Sequence, residues 1–353
     1  MTTKKDIESA LMRGADTLRD TIDAANYKDY VLPVMFVKYL SDSYTDAVEE
    51  LSKQYSGIRL ERQKKYLPFM VAEGCLFYDL YQQRFADNIG QLMNAAMRQI
   101  EADNNQQLAG VLSAVDYNSE NALGTREHKN AILRDLLEDF EPLDLRPSAI
   151  EVKEGQVPAD VIGDAYEYMI GQFASMAGKK AGSFYTPAAV SEIMARIVDV
   201  QPGERVYDPT CGSGSLLIKA AKKQNSKEVS IYGQEVNGSS VAMAKMNMYI
   251  HEIRDAKIGW GDTLANPVFL DADGNLLLFD AIVANMPFSK DKWASGFNPG
   301  GESSGKGKKE FKMEASLDKF HRFDWGVPPA SKGDWAFLLH MIASLSVNGR
   351  IAA

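Results

Sequence analysis

The stretch "DPTCGSGSLL", residues 208 to 217, puts Gly212 and Gly214 between a short apolar run and a helical pattern. Glycines there let the backbone turn sharply and approach a ligand closely, and the first N–H groups of the following helix face that ligand. The spacing excludes two common sites. A dinucleotide fingerprint needs Gly or Ala where Leu217 stands, and a nucleophile elbow needs glycines where Ser213 has Cys211 and Ser215. Cys211 has no His neighbour in sequence and reads as a small packed residue of the turn, not an activated thiolate. The next β-type run ends in "GQEV", which puts Glu235 about twenty residues beyond the glycine turn, where an acid accepts hydrogen bonds from ribose hydroxyls. The run after that ends in "GDT", with Asp262 placed to accept from an adenine amino group. Either acid alone is an ordinary strand-end residue. At successive strand ends beside a glycine turn, the two describe a pocket for an adenosine-bearing cofactor that is not a dinucleotide.

Such a pocket needs a parallel sheet to carry it. From residue 203 onward, "RVYDPT", "VSIYGQEV", "AKIGWGDT", "FDAIVANM" and "GRIAA" read as strands, with helical patterns at about Leu216 to Lys223, Ser239 to Glu252 and Asp334 to Leu345 between most of them. That alternation predicts a Rossmann-like α/β fold, a mostly parallel sheet covered on both faces, with its ligand at the carboxyl ends of the strands. Before it, the pattern from Lys4 to Phe140 is helical. Ile7, Leu11, Leu18 and Ile22 share one face, as do Ile132, Leu133, Leu136, Leu137 and Phe140. "YKDYVLPVMFVKYLSD" is apolar on nearly all sides after Pro33, the mark of a centrally buried helix with Pro in its first turn. Pro and Gly break the periodicity around "EPLDLRPSAIEVKEGQVPAD", and a helix resumes with Val161, Ile162, Ala165, Tyr166, Met169, Ile170 and Phe173 on one side. The expected organisation is a helical N-terminal domain over residues 1–155, serving as a docking unit or clamp, and an α/β domain over 156–353. The chain stops directly after "GRIAA", so the sheet is expected to be incomplete at its C-terminal end.

With 353 residues, 45% of them hydrophobic, the chain has room for about two domains of ordinary size. No stretch approaches the roughly 18 consecutive apolar residues of a membrane span, and "MTTKKDIESALMRG" lacks the apolar core of a signal peptide. The expected location is the cytoplasm, with no membrane partner. Cys75 and Cys211 form no Cys-x-x-Cys pair, which argues against a disulfide framework and against any metal site. The formal net charge of -9 argues against gripping nucleic acid through the chain's own average field, so a nucleic-acid substrate needs a local basic patch or a basic partner. "GGESSGKG", from Gly300, almost spells a phosphate-binding loop, but Gly307 replaces its Ser or Thr and no strand precedes it. That segment reads equally as a mobile Lys-rich loop or as solvated linker.

The ordered set "AGSFYTP" at 181 to 187, "DPTCGSGSLL", "GQEV", "GDTL" at 261 to 264 and "ANMPF" at 284 to 288 resembles the motifs of the modification subunit of type I restriction-modification systems. The resemblance covers nearly the whole chain: the helical half looks like that family's N-terminal domain, and "FDWGVPPASKGDWAFLLHMI" like the segment after its catalytic loop. It implies an S-adenosylmethionine-dependent DNA adenine-N6 methyltransferase. Carried across by motif, Ser183, Phe184, Tyr185, Thr186 and Pro187 close over the methionine end of S-adenosylmethionine. Asp208, Gly212, Ser213 and Gly214 line the cofactor's approach, with Glu235 on the ribose and Asp262 near the adenine. Asn285 and the backbone carbonyl of Met286 accept the amino hydrogens of a flipped adenine, Pro287 keeps the preceding residue extended, and Phe288 stacks on the base. Met286 stands where the family's Asn-Pro-Pro-Phe signature has its first Pro. The acceptor at that position is a backbone carbonyl, so the expectation is a working loop of reduced rigidity in which Met286→Pro keeps or modestly raises the rate. The family further implies assembly on DNA with a specificity subunit and a restriction subunit that holds the ATPase, with two copies of this subunit per complex. Two alternatives stay open: a non-catalytic, cofactor-binding assembly subunit, and an amino methyltransferase acting on RNA or on a protein glutamine.

Overall fold

The computed structural model describes residues 1–55, 67–178, 185–222, 228–288, 290–298 and 311–353. The chain separates into two compact units, Met1–Ala181 with Lys245–Glu252, and Gly182–Ala244 with Ile253–Ala353.

The first unit is helical. α1 (Lys4–Thr17) begins at a reciprocal cap: the Asp6 N–H donates to Thr3 Oγ1 at 3.2 Å and the Thr3 N–H donates to the Asp6 carboxylate at 2.8 Å. It packs on α2 (Tyr27–Gln54), and the unit continues through α3 (Ile89–Asp103), α4 (Arg126–Phe140) and α5 (Pro158–Ala177). Residues Tyr30 to Ser43 of α2 are buried throughout, as their all-round apolar pattern predicts. The helix starts earlier than expected, however, and Pro33 lies inside it and not in its first turn. Proline removes one N–H bond and crowds one carbonyl, costing about 3 kcal/mol, and the burial of so many side chains around it outweighs that cost. Lys38 is tolerated in this interior because its ammonium donates to both Asp42 oxygens, at 2.8 and 2.6 Å, and to the Tyr78 hydroxyl at 2.7 Å. α5, which the sequence places at the head of the α/β domain, packs on α1 and α2 within the helical unit.

The second unit is built on a 5-stranded sheet: β1 (Arg205–Asp208), β2 (Ser230–Glu235), β3 (Lys257–Trp260), β4 (Phe279–Val283) and β5 (Leu345–Ala352), in the order β3-β2-β1-β4-β5. All of its pairings are parallel. α6 (Ala188–Val198) precedes β1, and the helices between strands are α7 (Ser215–Lys222), α8 (Gly238–Ile250), which from Lys245 onward is grouped with the first unit, and α9 (Gly333–Ala343). α6 and α7 pack on each other and against the sheet, while Met341 of α9 joins Tyr207, Tyr232, Phe279 and Ile282 in an apolar cluster, with the Tyr207 and Phe279 rings stacked at 4.3 Å. β5 begins well before the expected "GRIAA". Its first half is largely unburied, with Val347 fully exposed, so no apolar run announces it. Among the described residues no helix is long and apolar enough to cross a membrane.

β1 is the pivot of the sheet. Val206 pairs with Ile231 of β2 on one side and with Ala281 of β4 on the other. Strand order reverses there, between β1 and β4, and it is beyond the carboxyl ends of strands at such a switch point that open α/β sheets bind their ligands.

Candidate active site

The chain leaves β1 at Asp208 and turns through Gly212 and Gly214, whose φ angles of 52° and 75° lie in the left-handed region that other residues avoid. The turn is tied to the end of β2. The Gly212 N–H donates to Glu235 Oε2 at 3.1 Å, and the Asn237 N–H donates to Oε1 at 2.8 Å. The Val236 N–H bonds this carboxylate as well, and the remaining acceptor capacity suits a ribose hydroxyl. Burial pushes the Glu235 carboxyl above the usual range, and the Asn237 and Gly212 N–H groups pull against that rise. Asp208, 2% exposed, is pushed up to about 8, first by desolvation and further by the neighbouring Glu235. Ser213 is buried, with its hydroxyl 3.0 Å from that of Ser215. Cys211 packs so closely on β2 that a Cβ at Gly233 would lie 2.9 Å from its sulfur, and burial holds the thiol well above its ordinary pKa.

The loop after β3 carries Asp262. Its Oδ1 accepts from the Leu264 and Ala265 N–H groups at 2.9 and 3.3 Å, and its Oδ2 lies 3.7 Å from the Lys290 ammonium. One oxygen shapes the loop, and the other faces a lysine just past the "ANMPF" segment. Thr263 ties this loop to the glycine turn by donating to the Pro209 carbonyl at 2.5 Å. Gln234, completely buried, clamps it from below: Nε2 donates to the carbonyls of Gly261 and Asn266 at 3.2 and 2.9 Å, and Oε1 accepts from the Val268 N–H at 3.1 Å. Sequence reasoning passed over Gln234. The signal was an amide inside an apolar strand, which must find internal partners.

Beyond β4, Ala284 is buried, Asn285 and Met286 are half-buried, and Pro287 and Phe288 are exposed, Phe288 to 82%. Asn285 Nδ2 donates to Thr186 Oγ1 at 3.3 Å, so two motifs far apart in sequence meet. Pro187 caps α6, its carbonyl accepting from the Val190 and Ser191 N–H groups at 2.9 and 3.0 Å. Tyr185 is half-buried beside them in sequence, while Ser183 and Phe184 lie outside the described residues, as does the near-P-loop from Gly300 to Gly307. The Met286 side chain packs against two apolar clusters, one including Leu264, Trp293 and Phe323, the other Tyr207, Phe279 and Met341. These contacts belong to the Met side chain itself, beyond the backbone carbonyl on which the expectation of a working loop rests. Among the described residues, no grouping of His, Cys, Asp and Glu could hold a metal ion.

A further buried set escaped the sequence reading. Arg322, 4% exposed, pairs with Asp318 and reaches the carbonyls of Thr263 and Leu264, and its NH1 lies 3.1 Å from His340 Nδ1. The other ring nitrogen of His340 lies 3.1 Å from the Tyr207 hydroxyl.

A parallel sheet with these strand-end loops, following a helical domain in the chain, defines an α/β methyltransferase core. The chain belongs to the N-6 DNA methylase family, whose model matches residues 157–353, and residues 7–140 match the HsdM N-terminal domain. It is similar to the type I restriction enzyme MjaVIII methylase subunit of Methanocaldococcus jannaschii, at 29% identity over 342 residues, covering 93% of this chain and 53% of that one. It is equally similar to the type I restriction enzyme MpnII methylase subunit of Mycoplasma pneumoniae, at 29% identity over 386 residues, covering 98% and 66%. The crystal structure of the type I restriction-modification system methyltransferase subunit from Streptococcus thermophilus matches with a TM-score of 0.75 at 30% identity, covering 99% of this chain and 74% of that one. The chain thus spans between 53% and 66% of the length of these curated relatives.

Proposed function

We propose that this chain is the modification subunit of a type I restriction-modification complex and transfers a methyl group from S-adenosylmethionine to N6 of an adenine flipped out of DNA. The observation that carries the reading is the meeting of Asn285 with Thr186 at the carboxyl end of β4, the strand paired with the one that ends in the glycine turn. A cofactor held at the turn lies beside the loop that would hold the base.

The residues suit that cofactor. The glycine turn admits a close backbone approach, Glu235 keeps acceptor capacity for a ribose hydroxyl, and the Asp262 carboxylate is partly accessible for an amino group. Ser213, Asp208 and the 183–187 segment complete the proposed cofactor side. S-adenosylmethionine, when bound, supplies an electrophilic methyl group. The chain's own residues do the rest. Asn285 has its amide nitrogen engaged by Thr186, which leaves Oδ1 for one N6 hydrogen, and the Met286 carbonyl takes the other. Those two acceptors draw the N6 lone pair out of the ring and toward the methyl group. Phe288, with its ring exposed, stacks on the base, which leaves the duplex at a cost of a few kcal/mol. No proton need leave before attack, so orientation in a fixed polar site carries most of the rate.

In this reading residues 1–155 dock partners or clamp DNA, and 156–353 hold the catalytic machinery. The net charge of -9 supports reliance on partners for DNA: a specificity subunit, a restriction subunit and a second copy of this one, in the cytoplasm. Methyl-tritiated cofactor, DNA and a cognate specificity subunit test the proposal. Label is expected at adenine N6 only when the specificity subunit is present. Efficient site-specific methylation by the chain alone, or label recovered in RNA or a protein glutamine instead, overturns it.

A further inference from the structure

Arg322 is buried, yet it lies outside the proposed catalytic set. Every N–H of its guanidinium has an acceptor. Nε donates to Asp318 at 3.1 Å and NH2 donates to Asp318 Oδ1 at 2.8 Å. NH2 also donates to the Leu264 carbonyl at 2.6 Å, and NH1 to the Thr263 carbonyl at 3.3 Å and to His340 Nδ1 at 3.1 Å. With Nδ1 accepting, His340 Nε2–H donates to the Tyr207 hydroxyl, one residue before Asp208. The peptide units at Leu264 are therefore held from both ends: Asp262 takes the N–H and Arg322 takes the C=O. The same Leu264 side chain packs with Trp293 and Phe323 in the apolar cluster on which Met286 rests.

We infer that Arg322 is a positioning residue that fixes the Asp262 loop for the cofactor's adenine and links that loop to the packing beneath the target loop. No other side chain could replace it in kind. Lysine retains the charge but offers three donors from a single nitrogen, without the planar fork that reaches two carbonyls, a carboxylate and an imidazole together. The inference rests on the proposed function for the identity of the ligand, but not for the order of the loop.

The test uses Arg322→Lys in the 353-residue chain. Without ligand, hydrogen exchange at the Leu264 and Ala265 amides is expected to accelerate about tenfold or more, with exchange in β1 and β4 unchanged. By calorimetry, S-adenosylmethionine is expected to bind about tenfold more weakly to Arg322→Lys, and to lose little further affinity when the change is made in an Asp262→Asn background. If Arg322→Lys does not fold, the neutral pair Arg322→Gln with Asp318→Asn removes the buried charges together and is expected to show the same local exchange. Unchanged exchange at those amides in a folded variant, or additive losses in the double-mutant cycle, overturns the inference. A wild-type chain that binds no S-adenosylmethionine would sink the proposed function instead, and the exchange measurement would still decide the role of Arg322.

Discussion

The amide nitrogen of Asn285 donates to the hydroxyl of Thr186 at 3.3 Å. That bond fixes which end of the Asn285 amide is left for a ligand. A neutral hydrogen bond of this kind contributes about 1 kcal/mol, so Thr186→Val should lower the methylation rate about threefold to tenfold with little change in cofactor affinity. Thr186→Ser should restore most of it. Equal rates for wild type and Thr186→Val would mean that the amide is oriented by something else.

Met286→Pro should behave in the opposite sense from the sequence expectation. The ring would keep the backbone carbonyl but give up the side-chain contacts with the two apolar clusters. Loss of a half-buried Met side chain costs about 1–2 kcal/mol, more than the entropy a proline restores. The expected result is a lower denaturation midpoint and a slower reaction, with Met286→Leu close to wild type. A Met286→Pro enzyme that is faster and no less stable would return the argument to loop rigidity alone.

Glu235→Ala should damage more than cofactor binding. It strips the acceptor from the Gly212 and Asn237 N–H groups, so both the cofactor dissociation constant and the melting temperature of the unliganded chain should worsen. Asn285→Ala should leave both nearly unchanged while abolishing transfer. Calorimetry and melting curves on the two variants separate the roles, and matched losses of cofactor affinity would show them wrongly assigned.

Stability of the unliganded chain should fall as pH rises. The Asp208 carboxyl sits at about 8 in the fold, above its ordinary 3.8. Folding therefore favours its protonated form, a contribution fully present below the lower value and lost as pH climbs through about 8. Glu235 is shifted in the same direction. In Asp208→Asn the melting temperature should vary less between about pH 6 and 9 than in wild type. A wild-type profile flat over that range would place the carboxyl in its charged form throughout.

What could be read from the chain was whatever chain neighbours decide. Parallel strands buried on both faces are short apolar runs, and β1 and β2 each stop at an acidic residue, so Asp208 and Glu235 marked their own strand ends. The glycines were legible because only a left-handed turn needs them. Arg322 and His340 were illegible for the converse reason: their partners are carbonyls and side chains brought near by the fold, and nothing adjacent in sequence requires them. The start of β5 was missed because its exposed face interrupts the apolar pattern, and the depth of Pro33 in α2 because tertiary burial overrode a local rule.

The central place of β1 also sets an order of assembly. Its Ile231-side neighbour is made soon after it, whereas its Ala281-side neighbour leaves the ribosome much later. The glycine turn and Glu235 can come together while translation is still in progress; the Asn285 loop must wait for a distant pairing, with the slower closure such pairings entail. In the interval one flank of β1 presents bare N–H and C=O groups to any passing strand, so the nascent chain is most open to misassembly just before the Asn285 half of the site exists.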